Sequence, residues 1–159
     1  MRAAHADATL HDVTVQALRL HLERAVAAPR DVVFRMHTEP DLMARWWGPQ
    51  GFTAPSVELD VRVGGAYRIE MQPSEGDAFF LAGEFIEVEA PKRLSYTFRY
   101  ELPDRDDRET VVVFALDDHD KSTSVSVDQG DFLTEARLAL HRQGWTQSLE
   151  RLARAAVSR

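Results

Sequence analysis

Alternating hydrophobic and polar residues mark several short segments of the chain, a period of two that is typical of strands buried on one face. In the first segment Leu18, Leu20 and Leu22 would share one face, with Arg19 and His21 on the other. Six further segments of this kind follow at 56–63, 66–71, 79–88, 94–100, 110–116 and 122–127. Short turns separate them, so the chain is predicted to form an antiparallel meander.

Two short helices are predicted between the first strand and the others. Pro29 suits the first turn of one helix, because the N–H group that proline lacks would have no partner there. Thr38 is a candidate N-cap for the second helix. The second helix is expected to end at Trp46 or Trp47, because Gly48-Pro49 interrupts it.

A long helix is predicted over 131–157, about 40 Å at a rise of 1.5 Å per residue. Its hydrophobic residues fall on one stripe, which would pack against the sheet. The stripe consists of Thr134, Leu138, Trp145, Leu149, Leu152 and Ala156. Four charged residues of the helix lie off the stripe and are expected to face water: Arg137, Glu150, Arg151 and Arg154.

This order of elements predicts an α+β fold, in which a curved antiparallel sheet wraps around the long C-terminal helix. The two short helices would follow the first strand. A length of 159 residues fits a single domain. We expect that domain to span residues 13–159, after a frayed lead-in at residues 1–12.

Composition excludes several classes of protein. A net charge of −7 argues against nucleic acid as a partner, because phosphates require a basic surface. The absence of cysteine removes disulfides, thiol catalysis and Cys-based metal sites. The N-terminal sequence lacks the hydrophobic run of a signal peptide, and no segment has 18 consecutive apolar residues. We therefore expect a cytoplasmic protein that does not act on a membrane.

Five segments, taken together and in this order, resemble a known family. They are APRDVVF at 28–34, WWGPQGF at 46–52, GGAYR at 64–68, GEFIEVEAPKRLSYTF at 83–98 and HRQGWTQSLERL at 141–152. The chain resembles the activator-of-heat-shock-protein-ATPase homologue (Aha-type) family. That family belongs to the START-like, polyketide-cyclase-like (SRPBCC) superfamily, which has the helix-grip fold. The resemblance covers roughly residues 18–156.

The resemblance implies a deep apolar cavity between the sheet and the long helix. Members of the superfamily use this cavity for lipids, hormones, polyketides and aromatic compounds. The co-chaperones that give the family its name carry a second, N-terminal domain, which we do not expect in this chain. The resemblance therefore favours a small hydrophobic ligand, while a chaperone partner and a role in stress response stay open as an alternative.

The segment WWGPQGF raises the question of why two rigid aromatic side chains stand at a chain-breaking turn. Trp46 and Trp47 would lie about 100° apart on a helix, so they cannot face the same way. One interpretation is that one indole fills the core while the other covers the turn. The other is that one indole lines the mouth of the cavity.

The long helix carries a second candidate feature. His141 and Arg142 flank the apolar stripe between Leu138 and Trp145. They would either form hydrogen bonds at the rim of the sheet or give a polar end to an otherwise apolar pocket. Tyr67 or Arg68 would face them from the sheet, but strand parity does not decide which of the two points inward.

Two further features receive structural interpretations. Gly144 in the middle of the long helix costs about 1 kcal/mol relative to alanine, which predicts that another element approaches closely there. The acidic run at 103–107 is expected to be a solvated hairpin tip.

The predicted cavity-lining set unites the aromatic residues with the polar candidates. It comprises Phe34, Trp46, Trp47, Phe52, Tyr67, Arg68, Phe85, Tyr96, Phe98, Leu138, His141, Arg142 and Trp145. No metal site is predicted, because HExxH and pairs of closely spaced histidines are absent, and neither a GxSxG elbow nor a P-loop occurs. No cofactor is expected.

Three functions remain open. The favoured hypothesis is a domain that holds an apolar or aromatic small molecule, lipid-like or polyketide-like, without an assigned catalytic residue. The second is an enzyme of the cyclase or dehydratase kind in the same cavity, with one His, Arg, Tyr or Glu moving protons. The third is a co-chaperone-like regulator of a heat-shock-protein ATPase. Assembly as a homodimer is left open.

Overall fold

A seven-stranded antiparallel sheet and one long helix make up most of the computed structural model, which describes residues 18–157. The strands are β1 Leu20–Val26, β2 Val57–Leu59, β3 Ala66–Met71, β4 Phe79–Glu89, β5 Arg93–Tyr100, β6 Thr110–His119 and β7 Ser122–Gly130. The helices are α1 Arg30–Met36, α2 Pro40–Met43 and α3 Glu135–Val157. The predicted lead-in at residues 1–12 lies outside the described residues.

The strands follow one another across the sheet in the order β1-β7-β6-β5-β4-β3-β2. From β2 to β7 this is the predicted meander of hairpins. The first strand pairs with the last, with Leu20 opposite Gln129 and Val26 opposite Thr123. Between β1 and β2 the chain leaves the sheet to form α1 and α2, and α3 follows β7. The predicted helix-grip architecture is confirmed.

Several predicted boundaries need correction. The second short helix ends at Met43 rather than at Trp46 or Trp47, and its N-cap is Glu39 rather than Thr38. The segment 56–63 contains only the short strand β2, because the chain turns after it. The N–H of Gly65 bonds to the carbonyl of Arg62, and Gly64 has a φ of +85°, which favours glycine. The first strand runs on to Val26 through its pairing with β7. The long helix begins at Glu135 rather than at residue 131.

The core lies between one face of the sheet and the helices. On β6 the buried residues are Val112, Phe114 and Leu116, two positions apart, which is the predicted strand alternation. From α3 the core receives Trp145, Leu149, Leu152 and Ala156, four members of the predicted stripe.

Candidate functional site

A pocket of about 650 Å³ opens between α3, the turn at 47–52 and strands β3 to β5. Its wall is largely aromatic and aliphatic. The apolar lining residues are Trp47, Phe52, Met71, Phe79, Phe98, Tyr100, Leu102, Leu140 and Trp145. The polar side chains on the wall are Gln50, Asp104, Asp107, Arg137, His141, Gln143, Gln147 and Ser148.

The turn WWGPQGF forms one wall of this pocket and is attached to α3. Gly48 has a φ of +101°, a conformation that residues with a side chain rarely adopt. Arg151 Nη1 donates to the carbonyl oxygens of Trp47, Gly48 and Pro49 at 3.3, 2.8 and 3.1 Å. The prediction that Arg151 faces water is therefore wrong, because three backbone acceptors hold its guanidinium at the turn.

The two tryptophans of the turn have different roles. Trp46 is completely buried, and its Nε1 donates a hydrogen bond to the carbonyl of Met36 at 2.8 Å. Trp47 lines the pocket and meets Trp145 edge to face, with ring centroids 5.4 Å apart. Its Nε1 is buried and has no partner among the described residues. Each of the two interpretations of the pair thus applies to one tryptophan.

Trp145 is held in place by a buried hydrogen-bond chain. Its Nε1 donates to Oε1 of Gln129 at 2.7 Å, and Nε2 of Gln129 donates to the Thr110 hydroxyl at 2.9 Å. Both Gln129 and Thr110 are buried. Because each polar group in this chain has a partner, the indole ring is held in one orientation at the pocket wall.

His141 lies on the pocket wall among aromatic rings. Its ring centroid is 4.8 Å from that of Phe132, 5.5 Å from Phe98 and 6.0 Å from Tyr100. Burial, and then the positive charge of Arg137, lower the pKa of His141 to about 4. The imidazole is therefore neutral near pH 7.

Arg137 sits at one end of the pocket, against the acidic run that connects β5 to β6. Its guanidinium bonds Asp104 at 3.1 Å, Asp106 at 2.9 Å and Asp107 at 3.2 Å. The side chains of Arg137 and Asp107 are only 13% and 7% exposed. The prediction that Arg137 faces water is therefore wrong. The acidic run is not merely a solvated tip either, because its carboxylates cluster around one guanidinium.

His37 and Tyr96 form a second polar pair, within the core and away from the pocket. His37 is 1% exposed, and its Nε2 is 2.8 Å from the Tyr96 hydroxyl. Burial lowers the pKa of His37 to about 4 and raises that of Tyr96. The pattern of the sequence contains no signal for this pair, because His37 follows the end of α1 and Tyr96 lies on a strand 59 residues later.

The structure brings five of the thirteen predicted lining residues together at the pocket: Trp47, Phe52, Phe98, His141 and Trp145. Another five are buried in the core away from the pocket wall: Phe34, Trp46, Tyr67, Phe85 and Tyr96. The sequence does not distinguish aromatic residues that fill the core from those that line the cavity. Only the tertiary structure separates the two groups.

The other three residues lie on surfaces that face away from the pocket. Arg68 is exposed on the outer face of the sheet, where it stacks on Phe80 at 3.7 Å and pairs with Glu101 at 2.7 Å. Tyr67 is the neighbour that points inward.

Leu138 and Arg142 line a shallow groove on another side of α3. Arg142 is 100° around the helix from His141 and lines this groove rather than the pocket wall.

Several lining residues were missed by the sequence analysis. Met71 has the same parity on β3 as the inward-facing Tyr67, and Tyr100 has the same parity on β5 as Phe98, so alternation was the available signal. Phe79 and Leu140 also line the pocket. Arg137 and the aspartates carried no such signal, because their ion pairs join segments about thirty residues apart.

Two kinds of feature are absent from the described part of the chain. No group of three or more His, Asp or Glu residues between 18 and 157 is placed to hold a metal ion. No helix within these residues is long and apolar enough to cross a membrane.

A family model described as "Activator of Hsp90 ATPase homolog 1-like protein" matches residues 27–156. The chain belongs to this family. The match covers α1 through nearly all of α3, and therefore every element that builds the pocket. The resemblance drawn from the five sequence segments is thereby confirmed.

Solved structures of proteins from several bacteria share the architecture of this member of the family. A protein from Chromobacterium violaceum is 28% identical, with a TM-score of 0.79 over 87% of this chain and 96% of its own. One from Nitrosomonas europaea is 28% identical, with a TM-score of 0.73 over 87% and 93%. One from Silicibacter pomeroyi, described as an AHSA1 protein, is 26% identical, with a TM-score of 0.75 over 86% and 95%. A search of curated proteins found no match.

Proposed function

We propose that this protein binds a small apolar or aromatic molecule in the pocket between α3, the turn at 47–52 and the sheet. The observation that supports the proposal is the pocket wall itself, with Trp47, Phe98 and Trp145 around a space of about 650 Å³. Ligand sites of about 300–1,000 Å³ with mostly apolar walls and a few placed polar groups are typical of proteins. The fold of the family is consistent with such a role.

The construction of the wall supports a preformed site. Trp145 is held by its hydrogen bond to Gln129, and the opposite turn is held by the three bonds from Arg151. A pocket whose walls are already ordered requires less loss of conformational entropy when a ligand binds. Its opening lies beside Leu140 and Leu102, which are 54% and 88% exposed.

The test begins with native mass spectrometry of gently purified protein. It continues with a thermal-shift screen that includes fatty acids and aromatic compounds. We expect either a co-purifying small molecule or a compound that raises the melting temperature, because a ligand that binds only the folded state stabilises it. A bare mass together with a flat screen would contradict the proposal.

A matched pair of variants tests whether any observed binding occurs in this pocket. Leu140→Trp puts a large side chain at the opening and should weaken binding of the stabilising compound at least about tenfold, a loss of ~1.4 kcal/mol. Ala136→Trp introduces the same side chain at an exposed residue of α3 that does not line the pocket. If both variants bound the compound equally well, the binding site would lie outside this pocket.

A second candidate function is catalysis of the cyclase or dehydratase kind in the same pocket. The observation that favours it is His141, a neutral imidazole on the wall at pH 7. A bound compound that the protein converts, with turnover lost in His141→Ala and retained in Arg142→Ala, would support catalysis over binding alone. Unchanged turnover in His141→Ala would remove His141 from that role.

Regulation of a chaperone ATPase is the function that the description of the matching family suggests. An ATPase assay with the cognate chaperone tests it directly. Stimulation by this protein would support the role, and an unchanged rate at saturating protein would argue against it.

A further inference from the structure

At one end of the pocket, negatively charged side chains outnumber positively charged ones. Three carboxylates, those of Asp104, Asp106 and Asp107, surround the single guanidinium of Arg137. Asp104, Asp107 and Arg137 all line the pocket, and Arg137 is the only cationic side chain among the lining residues. Arg108 lines the smaller space behind Asp107, and with both guanidinium groups counted the three carboxylates still leave this end of the pocket with a net negative charge.

Arg137 is not available to anchor an anionic ligand. Both of its terminal nitrogens already bond carboxylates, Nη2 to Asp104 and Asp106 and Nη1 to Asp107. Its Nε is buried and has no partner among the described residues. An arginine commonly binds a carboxylate through two parallel N–H bonds, and here the aspartates occupy that edge.

His141 does not add a positive charge, since burial and Arg137 keep its imidazole neutral near pH 7. Tyr100 lies on the same wall. Burial first, and then the negative charge of Asp107, raise the pKa of Tyr100; the opposing effect of Arg137 is smaller than that of Asp107. The charge that acts most on Tyr100 is thus the negative one of Asp107, while the charge that acts on His141 is the positive one of Arg137.

Aromatic rings line the space next to the acidic end. Phe98 and Tyr100 contribute ring surfaces to the wall beside Asp107. The negatively charged face of an aromatic ring attracts ammonium groups, by about 0.5–2 kcal/mol depending on their solvation. Rings and carboxylates therefore favour the same sign of charge in a ligand.

We infer that the pocket selects an aromatic molecule carrying a protonated amine over one carrying a carboxylate, with the amine next to Asp107 and Asp104. This inference rests on the proposed function, and it specifies the class of ligand. It predicts discrimination against fatty acids and aromatic acids, which would bring a second negative charge to the acidic end.

The experiment compares three probes with the same ring system by isothermal titration calorimetry at pH 7. They are 2-naphthylmethylamine, which is protonated, the uncharged 2-naphthylmethanol and the anionic 2-naphthoate. We expect the amine to bind at least about tenfold tighter than the carboxylate, with the alcohol between them. The preference should weaken as salt is added, because mobile ions screen charges near the surface.

Two variants assign the preference to the acidic end. Asp107→Asn removes the buried carboxylate, and Asp104→Asn removes one that is 77% exposed, where folding is expected to be unaffected. Each should reduce the ratio of amine to carboxylate affinity. Asp118→Asn, at an exposed residue near the other end of β6, serves as the control and should leave the ratio unchanged.

The outcomes separate this inference from the proposed function. Binding of the alcohol with equal or tighter binding of the carboxylate would overturn the charge preference and leave the binding function standing. A preference that survives in both Asp107→Asn and Asp104→Asn would overturn the assignment to these carboxylates. Failure of all three probes to bind would count against both proposals.

Discussion

The side chains of His37 and Tyr96 meet in the middle of the core, with 2.8 Å between Nε2 and the hydroxyl oxygen. The imidazole also packs edge to face against Phe114 at 4.4 Å and Trp46 at 5.3 Å. An ionisable group in such surroundings is held neutral, because the protonated form would lose its hydration. This contact therefore makes the stability of the fold depend on pH.

The first prediction concerns that pH dependence. The pKa of His37 falls from 6.5 to about 4 on folding, so below pH 6.5 the unfolded chain binds a proton that the folded protein does not. The free energy of unfolding should decrease as the pH falls from 6.5 towards 4, by about 3 kcal/mol from His37 alone. Urea denaturation at several pH values measures this slope, to which His141 contributes with the same sign.

Two substitutions separate the sources of the slope. His37→Gln keeps a polar partner for the Tyr96 hydroxyl but removes the titrating group, so stability should fall less steeply with acid than in the parent protein. His119→Gln, at an exposed histidine of β6, is the matched control with which the slope of His37→Gln is compared. A slope in His37→Gln as steep as that of the parent would contradict the prediction.

The second prediction compares Trp47 and Trp145, whose rings meet edge to face on the pocket wall. Trp145→Phe removes the N–H that bonds Gln129 and leaves a buried amide oxygen without its donor. Trp47→Phe removes an N–H that has no partner among the described residues. Because both changes delete the same atoms, we expect Trp145→Phe to lower the free energy of unfolding by about 1–3 kcal/mol more than Trp47→Phe.

Chemical denaturation of the two variants under identical conditions measures this difference. Equal losses would mean that the chain from Trp145 through Gln129 to Thr110 contributes no net stability.

The third prediction concerns the ion cluster around Arg137. Arg137→Met leaves the Asp107 carboxylate, which is 7% exposed, next to two other carboxylates without their shared cation. We expect a loss of about 1–3 kcal/mol, because a buried charge without a partner is costly, while the exposure of Asp104 and Asp106 moderates the loss. The loss should be smaller in high salt.

Arg142→Met serves as the control for this substitution on the same helix. Arg142 is exposed and makes no ion pair with the described residues, so its replacement should change stability by less than about 0.5 kcal/mol. Comparable effects of the two substitutions would show that the cluster is not a stabilising feature.

The fourth prediction compares two glycines. A Cβ atom at Gly83 would stand 2.1 Å from the Thr97 carbonyl oxygen and 2.7 Å from the Tyr67 ring, so Gly83→Ala should disrupt the pairing of β4 with β5. At Gly144 the nearest atom would be Pro49 Cγ at 3.6 Å, an ordinary contact. The close approach predicted at Gly144 is therefore not found. Gly144→Ala should stabilise the protein by about 1 kcal/mol, the usual gain within a helix.

Melting temperatures of the two alanine variants test this contrast. A loss of stability in Gly144→Ala would show that the helix requires glycine there for a reason other than space.

The sequence predicted the fold because the fold depends on local periodicity. Alternation in segments such as 110–116 and the stripe from Trp145 to Ala156 determine which face each element buries. Element ends were less predictable, as β2 shows, because a strand ends where its backbone partners end. The length of a strand is therefore set by its pairing with segments that are distant in the sequence.

The site was only partly predictable for the same reason. Trp47 and Trp145 were identified as candidates from their residue type and position. Their separation from Trp46, which fills the core, depends on which ring each one meets in space. The aspartates gave a correct indication of a loop, but their attraction to Arg137 arises only when α3 folds back over the end of β5.

The sequence by itself therefore determined the architecture, through hydrophobic periodicity, and the presence of aromatic residues near the turn and on the long helix. The tertiary structure alone decided which of those residues line a pocket, which groups are buried and which charges meet. The physical reason is that burial, pKa shifts and ion pairs depend on distances between residues such as His37 and Tyr96, which are far apart in the chain. Hydrophobic periodicity along the sequence does not specify those distances.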